Sequence, residues 1–162
     1  MIFVTIGSMF PFDRLIRLMD GFAAANPGAE LLAQIGEGDY VPTRMPHVRR
    51  LDQADFARTV AGAELVVAHA GMGSVITASQ YGKPIVMMPR LRDQGEHTTD
   101  HQIATANWLR GKPGVYIADG DDDLAPRIAE ALAAGPPSAP IFPPEAPPEF
   151  IARLRACIFG QL

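Results

Sequence analysis

The chain has 162 residues, of which 48% are hydrophobic and 20% charged, and its formal net charge at pH 7 is −4. This length suits one domain with a full core, and the apolar content excludes wholesale disorder. The acidic balance argues against broad nucleic-acid binding, so no nucleic-acid partner is expected. No apolar run of about 18 residues and no signal-peptide pattern is present, which predicts a cytoplasmic location.

The opening residues predict a strand followed by a helix. Ile2 to Ile6 is a short apolar run, and Gly7-Ser8 ends it as a loop that can approach a ligand closely. Apolar side chains then recur at helical spacing in Phe12, Leu15, Ile16, Met19 and Phe22. On residue patterns alone, Gly7-Ser8 is equally compatible with an ordinary turn.

Two further strands are expected before the middle of the chain. Glu30 to Ile35 predicts the second strand and His47 to Leu51 a third, more polar one. Asp52, followed three residues later by Asp55, resembles an acidic helix cap. A short helix should therefore lead into the central strand.

Residues 65–90 predict a strand, a glycine turn, a helix and another strand. Leu65 to Ala68 reads as a buried parallel strand, and Gly71 and Gly73 form a tight turn before a helix opening with Ser74. Unpaired N–H groups and the macrodipole make a helix N-terminus a ready phosphate site. His69 lies at the carboxyl end of the strand, where ligands bind in open α/β sheets.

The remaining elements complete an alternating pattern. After a strand at Ile85 to Met88 comes a polar loop and a helix whose apolar face carries Ile103, Ala106 and Leu109. Val115 to Ala118 predicts a last strand, and residues 121–134 predict an acidic turn and a helix. This order predicts an α/β fold, a Rossmann-like three-layer domain with a mostly parallel sheet of about six strands.

The domain is expected to span residues 1–135. Residues 136–148 contain seven prolines and predict a semi-rigid connector. Residues 149–162 predict a C-terminal helix with an apolar stripe, which packs either on the domain or on a partner.

Three motifs carry a resemblance to a known family. They are His69-Ala70-Gly71-Met72-Gly73-Ser74, then Gly82-Lys83-Pro84, then Asp100-His101-Gln102. Together they resemble the donor-binding half of GT-B glycosyltransferases of the MurG type, the glycosyltransferase family 28 C-terminal type. The chain looks similar also to single-domain relatives: the catalytic subunit of the two-part eukaryotic transferase that adds the second GlcNAc to dolichol diphosphate, and bacterial PssE-type subunits. The likeness runs from Ile2 to about Trp108.

The resemblance implies a UDP-sugar donor and no required cofactor or metal ion. It implies catalytic roles for His69, Asp100 and Gln102. Residues that the resemblance places against the donor are Gly7, Ser8, Leu51, Gly71, Gly73, Ser74 and His101. Many relatives have a glutamate for the ribose where this chain has Thr77, which supplies no charge.

The resemblance also implies an activity and a partner. The chain is expected to be the catalytic subunit of a two-component inverting glycosyltransferase that acts on a polyprenyl-diphosphate-linked acceptor in exopolysaccharide or capsule synthesis. MurG-like enzymes carry the acceptor site and usually the general base in another domain, for which 162 residues are expected to leave no room. A membrane-associated PssD-like subunit would bind the lipid-linked glycan acceptor and hold this chain at the inner face of the membrane.

Two other classes of function remain open from the sequence. A non-catalytic nucleotide-sugar-binding regulatory module would use the same phosphate loop without needing Gln102. A metal-dependent hydrolase would use His97 and His101, which are four residues apart and share a helix face. Arg90 or Arg92 could pair with the carboxylate of a uronic acid sugar, although surface arginines are common.

Overall fold

Strands and helices alternate along the chain in the computed structural model, which describes residues 1–143 and 145–160. The strands are β1 (Ile2–Thr5), β2 (Leu31–Gln34), β3 (His47–Val48), β4 (Leu65–His69), β5 (Ile85–Met88) and β6 (Val115–Ile117). The helices are α1 (Asp13–Ala25), α2 (Gln53–Gly62), α3 (Met72–Gln80), α4 (His101–Leu109), α5 (Leu124–Ala134) and α6 (Pro148–Ile158). A 3₁₀ turn, Asp121–Asp123, precedes α5.

The six strands form one sheet in the order β3-β2-β1-β4-β5-β6, and every neighbouring pair is parallel. The predicted Rossmann-like α/β fold is therefore confirmed. In this order the connections turn in opposite directions from β1 and β4, which lie side by side. The carboxyl ends of these two strands form the topological switch point, where ligands bind in open α/β sheets.

The sheet is covered on both faces because its strand residues alternate between two apolar cores. Ile2 and Val4 pack with α1 and α5 on one face, whereas Phe3 packs with α2, α3 and α4 on the other. Both faces being covered makes the central strands apolar throughout, as expected for parallel sheets. All four residues of β1 and of β5 are buried.

Three local details differ from the sequence-based expectations. β3 is two residues long, so the predicted strand ends before Leu51. Helix α3 begins at Met72, two residues earlier than predicted, because Gly71 already has the extended conformation of a helix cap. The buried face of α4 carries Gln102 with Ala106 and Leu109, while Ile103 is exposed.

The Pro-rich connector and the last helix behave differently from each other. Ile141 is buried in the second core, and the Phe142 N–H donates to Ser79 Oγ at 3.0 Å, so the connector lies against α3. Helix α6 buries none of its residues. Pro144 of the connector and residues 161–162 of the predicted C-terminal helix lie outside the described residues. Within the described chain, no helix has both the length and the apolar character needed to cross a membrane.

Candidate functional site

A cavity of about 600 Å³ opens at the carboxyl edge of the sheet. Its walls come from the β1–α1, β3–α2 and β4–α3 loops, from Arg90 after β5, and from the start of α4. The volume lies within the range of small-molecule sites. Of the ten residues predicted for the site, nine line this cavity: Gly7, Ser8, Leu51, His69, Gly71, Gly73, Ser74, His101 and Gln102. Their chemical roles stay predictions.

His69 ends β4 at the switch point, and its ring is enclosed by two glycines. Gly7 has φ of +75°, and a Cβ on it would lie 2.6 Å from His69 Cε1. A Cβ on Gly71 would overlap His69 Nε2. Position 7 therefore needs glycine for both conformation and space, whereas position 71, with φ of −109°, needs it for space alone.

His69 is neutral at physiological pH. Burial, and secondly the charge of Arg90, lowers the pKa of His69 to about 4. Its Nδ1 is buried and has no hydrogen-bond partner among the residues that the structure describes. A neutral imidazole at this position offers hydrogen bonds to a ligand but no positive charge.

The first turn of α3 presents backbone and hydroxyl donors to the cavity. Gly71 caps the helix without a side chain, and the first N–H groups of a helix have no intrahelical partner. Ser74 is buried, and its hydroxyl makes no hydrogen bond within the described part of the chain. Thr77 also lines the cavity and donates its hydroxyl proton to the Gly73 carbonyl at 2.9 Å.

Gln102 is held in one orientation by the main chain. It is 3% exposed, and its Oε1 accepts the Arg90 N–H at 3.0 Å. The amide Nε2 makes no hydrogen bond to any described residue. Because the acceptor end is fixed, the side chain offers its NH₂ donors to the cavity.

Asp100 is the predicted site residue that the structure places elsewhere. It precedes α4, and its Oδ1 accepts the Arg92 N–H at 3.2 Å. Its side chain lines a separate, smaller depression together with Leu91, Arg92 and Ile103. Asp100 therefore shapes the loop after β5, and a catalytic role for it stays a prediction without support from its position.

Two histidines and a phenylalanine form one wall of the cavity. The ring centroids of His97 and His101 are 4.5 Å apart, and those of Phe10 and His97 are 4.9 Å apart. Burial lowers the pKa of His97, with further effects of His101 and Arg90. In residues 1–143 and 145–160, no three His, Cys, Asp or Glu side chains lie together as metal ligands. The hydrolase hypothesis therefore has no third ligand in this part of the chain.

Arg90 and Gln34 line the cavity but were not among the ten predicted site residues. The sequence offered Arg90 only as one of two arginines that could pair with a uronic acid carboxylate, and it gave Gln34 no role. Arg90 is 2% exposed and directs its guanidinium at main-chain carbonyls of the β1–α1 loop. Gln34 ends β2, and its Nε2 donates to the Gly7 carbonyl at 3.4 Å. Its Oε1 is buried without a partner in the described structure. The available signal was position, since each follows or ends a strand at the carboxyl edge.

The loop after β5 is fixed to α1 by an ion pair. Arg14 binds Glu96 with two hydrogen bonds, of 2.7 and 2.8 Å, and also binds Asp121 at 2.8 Å. Glu96 in turn accepts the Leu91 N–H at 2.8 Å. This arrangement holds residues 91–96 beside the cavity.

The side of the cavity formed by the β3–α2 loop and the start of α2 is apolar. Leu51 and Phe56 line it next to Asp52, whose side chain caps α2 by accepting the Asp55 N–H at 2.8 Å. The predicted acidic cap is thus confirmed. The preceding residue, Arg50, pairs with Glu37 and does not line the cavity.

The model of the glycosyltransferase family 28 C-terminal domain matches residues 1–113. That segment contains β1 to α4 and every residue that lines the cavity. The match therefore covers the whole of the candidate site.

Solved structures of glycosyltransferases share the fold. The kitacinnamycin glycotransferase superposes with a TM-score of 0.57 at 22% identity, over 82% of this chain and 34% of that chain. MurG of Acinetobacter baumannii gives 0.55 at 18% identity, over 82% and 40%. The NMR structure of ALG13 gives 0.59 at 16% identity, over 94% and 93%. The chain spans about one third of the first of these proteins and nearly all of ALG13.

Proposed function

Because the chain belongs to the family of glycosyltransferase family 28 C-terminal domains, we propose that it binds a UDP-sugar and is the donor-binding, catalytic part of an inverting glycosyltransferase. The observation that carries this proposal is the gathering of nine of the ten predicted site residues in one cavity at the switch point of the sheet. The same cavity has room for a ligand of that size.

The start of α3 would bind the diphosphate. In transfer from a UDP-sugar, the bond from the anomeric carbon to the diphosphate breaks, and negative charge develops on the phosphate oxygens. Fixed N–H donors and the hydroxyl of Ser74 would stabilise that charge without reorganisation. His69 would add a neutral imidazole donor, in keeping with its low pKa of about 4.

Gln102 would orient the sugar. Its Oε1 is engaged by the Arg90 N–H, so its NH₂ group is available to a sugar hydroxyl. A sugar held in this way presents the face of its anomeric carbon opposite the leaving diphosphate to an acceptor hydroxyl. Attack on that face inverts the configuration, and the acceptor proton passes to a general base that we place on a partner.

The uridine would lie against the β3–α2 loop. Leu51 and Phe56 provide an apolar surface for the base. Thr77 would bind the ribose through the lone pairs of its hydroxyl, since the hydroxyl proton is used by the Gly73 carbonyl. A neutral threonine would bind a ribose more weakly than a carboxylate does.

We further propose the two-component arrangement. Met9, at the mouth of the cavity, is 82% exposed, and Phe10 and Met72 beside it are 36% and 39% exposed. An apolar rim of this kind suits a second protein surface. A PssD-like membrane-associated subunit that brings a polyprenyl-diphosphate-linked glycan would complete the cleft and hold the chain at the membrane, as in exopolysaccharide synthesis. Co-expression with the product of the neighbouring gene tests this, and absence of a complex would refute it.

Calorimetric titration of the purified protein with UDP tests the donor site. We expect binding that persists in chelator, and Ser74→Ala should weaken it roughly tenfold, because a hydrogen bond to a charged group contributes about 1.5 kcal/mol. The matched control is Ser138→Ala, an exposed serine of the connector. Equal UDP affinity in both variants would contradict the placement of the phosphate at the start of α3.

Gln102→Ala distinguishes a donor site from a nucleotide sensor. In a donor site this variant should lose affinity for the UDP-sugar while keeping its affinity for UDP, because the amide contacts the sugar only. Gln80→Ala, an exposed glutamine of α3 outside the cavity, is the control. A regulatory module that recognises UDP alone would show no difference between the two ligands in either variant.

A further inference from the structure

Arg90 is a buried cation that binds no carboxylate among the described residues. Its Nη2 donates to the Ile6 carbonyl at 2.7 Å and to the Phe10 carbonyl at 2.6 Å, and its Nε donates to the Pro11 carbonyl at 3.4 Å. The guanidinium carbon also lies 5.0 Å from the centre of the Phe12 ring. Neutral carbonyls and a ring leave the full positive charge in place.

The carboxylate that acts on Arg90 through its charge is already engaged. Glu96 raises the pKa of Arg90, but burial outweighs it and lowers that pKa to about 10. Both oxygens of Glu96 bind Arg14, at 2.7 and 2.8 Å. A buried charge without a paired counter-ion is costly, which indicates that its counter-ion arrives with a ligand.

The cavity contains few other charges. Arg90 is the one lysine or arginine side chain among the described residues that line it, and Asp52 is the one carboxylate. Asp52 uses an oxygen to cap α2 on the apolar side of the cavity. His69 is neutral at pH 7 because its pKa is about 4. The fixed positive charge of the cavity is therefore concentrated at one residue.

We propose that Arg90 is the positioning residue of the donor site, which ties the β1–α1 loop to the end of β5 and supplies the positive charge that recognises the diphosphate of a nucleoside diphosphate. This inference rests on the proposed function. Three carbonyls fix two nitrogens of the guanidinium, and Nη1 makes no hydrogen bond to a described residue. A charge fixed in this way stabilises developing negative charge with little reorganisation.

The side chain and the main chain of Arg90 bind different parts of the site. The N–H of this residue holds Gln102 at 3.0 Å, whereas the guanidinium holds the loop that begins with Gly7 and Ser8. A substitution at position 90 keeps the N–H, so it leaves the orientation of Gln102 intact. Its effect on the donor therefore reports on the loop and the charge.

The test compares UDP with uridine, which has no phosphate, on the full chain by competition NMR. Arg90→Met removes the charge and should weaken UDP binding by roughly tenfold or more, about 1.4 kcal/mol, while uridine binds as before. Arg90→Lys keeps a charge but not the fork that bridges two carbonyls, so it should restore part of the UDP affinity. Arg92→Met, on the exposed part of the same loop, is the control and should change neither ligand.

The outcomes separate this inference from the proposed function. A wild-type protein that binds no UDP overturns the proposed function and this inference with it. Wild-type binding of UDP with an unchanged UDP-to-uridine ratio in Arg90→Met overturns the role of Arg90 alone. If Arg90→Met does not fold, the Arg90 Nε–H signal of the wild-type protein decides, since it should shift with UDP and stay in place with uridine. An equal shift with both ligands would contradict the role.

Discussion

Helices α1 and α6 both have amphipathic sequences, but the apolar face of α1 is buried and that of α6 is exposed. α1 buries Leu15 and four other residues between the sheet and the loop that follows β2. α6 buries none, and Phe150, Leu154 and Ile158 on its apolar side are 57%, 49% and 67% exposed. The comparison teaches that helical periodicity indicates an apolar face but does not indicate what covers it.

The two helices also differ in how they use polar residues. On α1, Arg14 fixes the loop after β5, and the buried Asp20 accepts hydrogen bonds from the main chain of Thr43 and Arg44. On α6, no side-chain hydrogen bond or ion pair is found within the described residues. α1 therefore supports the functional edge, while α6 is available to another surface.

The largest expected effect on stability is that of replacing Leu15 on α1, with Leu154 on α6 as its matched control. Leu15→Ala should reduce the free energy of unfolding by about 2–5 kcal/mol, because it leaves a cavity in a closed core. Leu154→Ala should change it by less than about 0.5 kcal/mol, because its side chain is half exposed. Urea denaturation measures both. A large cost at Leu154 would show that α6 packs against the domain in solution.

Asp20→Asn should be the next largest. Burial opposes ionisation of Asp20, but hydrogen bonds from Thr43, Arg44 and Tyr40 outweigh it, so the pKa of the carboxyl lies below its usual value. Replacing the charge should cost about 1–3 kcal/mol of unfolding free energy at neutral pH. Glu149→Gln on α6 is the control, since Glu149 is exposed.

The pH dependence of Asp20→Asn has a definite sign. A carboxyl with a lowered folded pKa stabilises the folded state above its unfolded pKa, and this contribution is lost as the pH falls through the folded value. The difference in unfolding free energy between wild type and variant should therefore have its full size above a pH of about 4 and should decrease at lower pH. A difference that is constant with pH would show that the ionised form is not what stabilises the loop.

Arg14→Met should affect the loop more than the global stability. The Arg14 and Glu96 side chains are 13% and 11% exposed, so removing the arginine leaves a largely buried carboxylate without its cation. We expect a loss of about 1–2 kcal/mol and faster amide hydrogen exchange in residues 91–100. Arg155→Met on α6 is the matched control, and equal exchange in both variants would contradict the role of Arg14.

Removing residues 148–162 should have the smallest effect. Because α6 buries no residue of its own, the shortened protein should keep its unfolding free energy within about 0.5 kcal/mol and its UDP affinity unchanged. Calorimetry and urea denaturation measure both quantities. A clear loss of stability would mean that α6 packs on the domain, which would end the contrast with α1.

Much of the fold was accessible from sequence patterns. The apolar runs at β1, β4 and β5 and the helical spacing of α1 were strong local signals, and the alternating order predicted a parallel sheet. The extent of β3 was not accessible, because its two residues, His47 and Val48, pair only where the β2 main chain is next to them. The predicted buried face of α4 was also wrong in part, since Gln102 lies on the buried face where Ile103 was expected.

The candidate site was accessible where its residues are local motifs. Gly71, Gly73 and Ser74 line the cavity as predicted, because a strand, a turn and a helix fix them within a few residues. Asp100 was placed in the site because it lies two residues before Gln102, but the two side chains line different depressions. Closeness in sequence predicts that two residues lie near each other, but it does not predict which way their side chains point.

By itself, the sequence determined the α/β class, the strand-to-helix turns and the glycine turn that follows His69, because each depends on interactions between nearby residues. Only the tertiary structure decided which polar groups are buried and what they bind. Arg90 reaches the Ile6 carbonyl across 84 positions of the chain, and Arg14 reaches Glu96 across 82. Whether such a charge is exposed or buried depends on the carbonyls and carboxylates that the sheet brings beside it, and no local pattern records them.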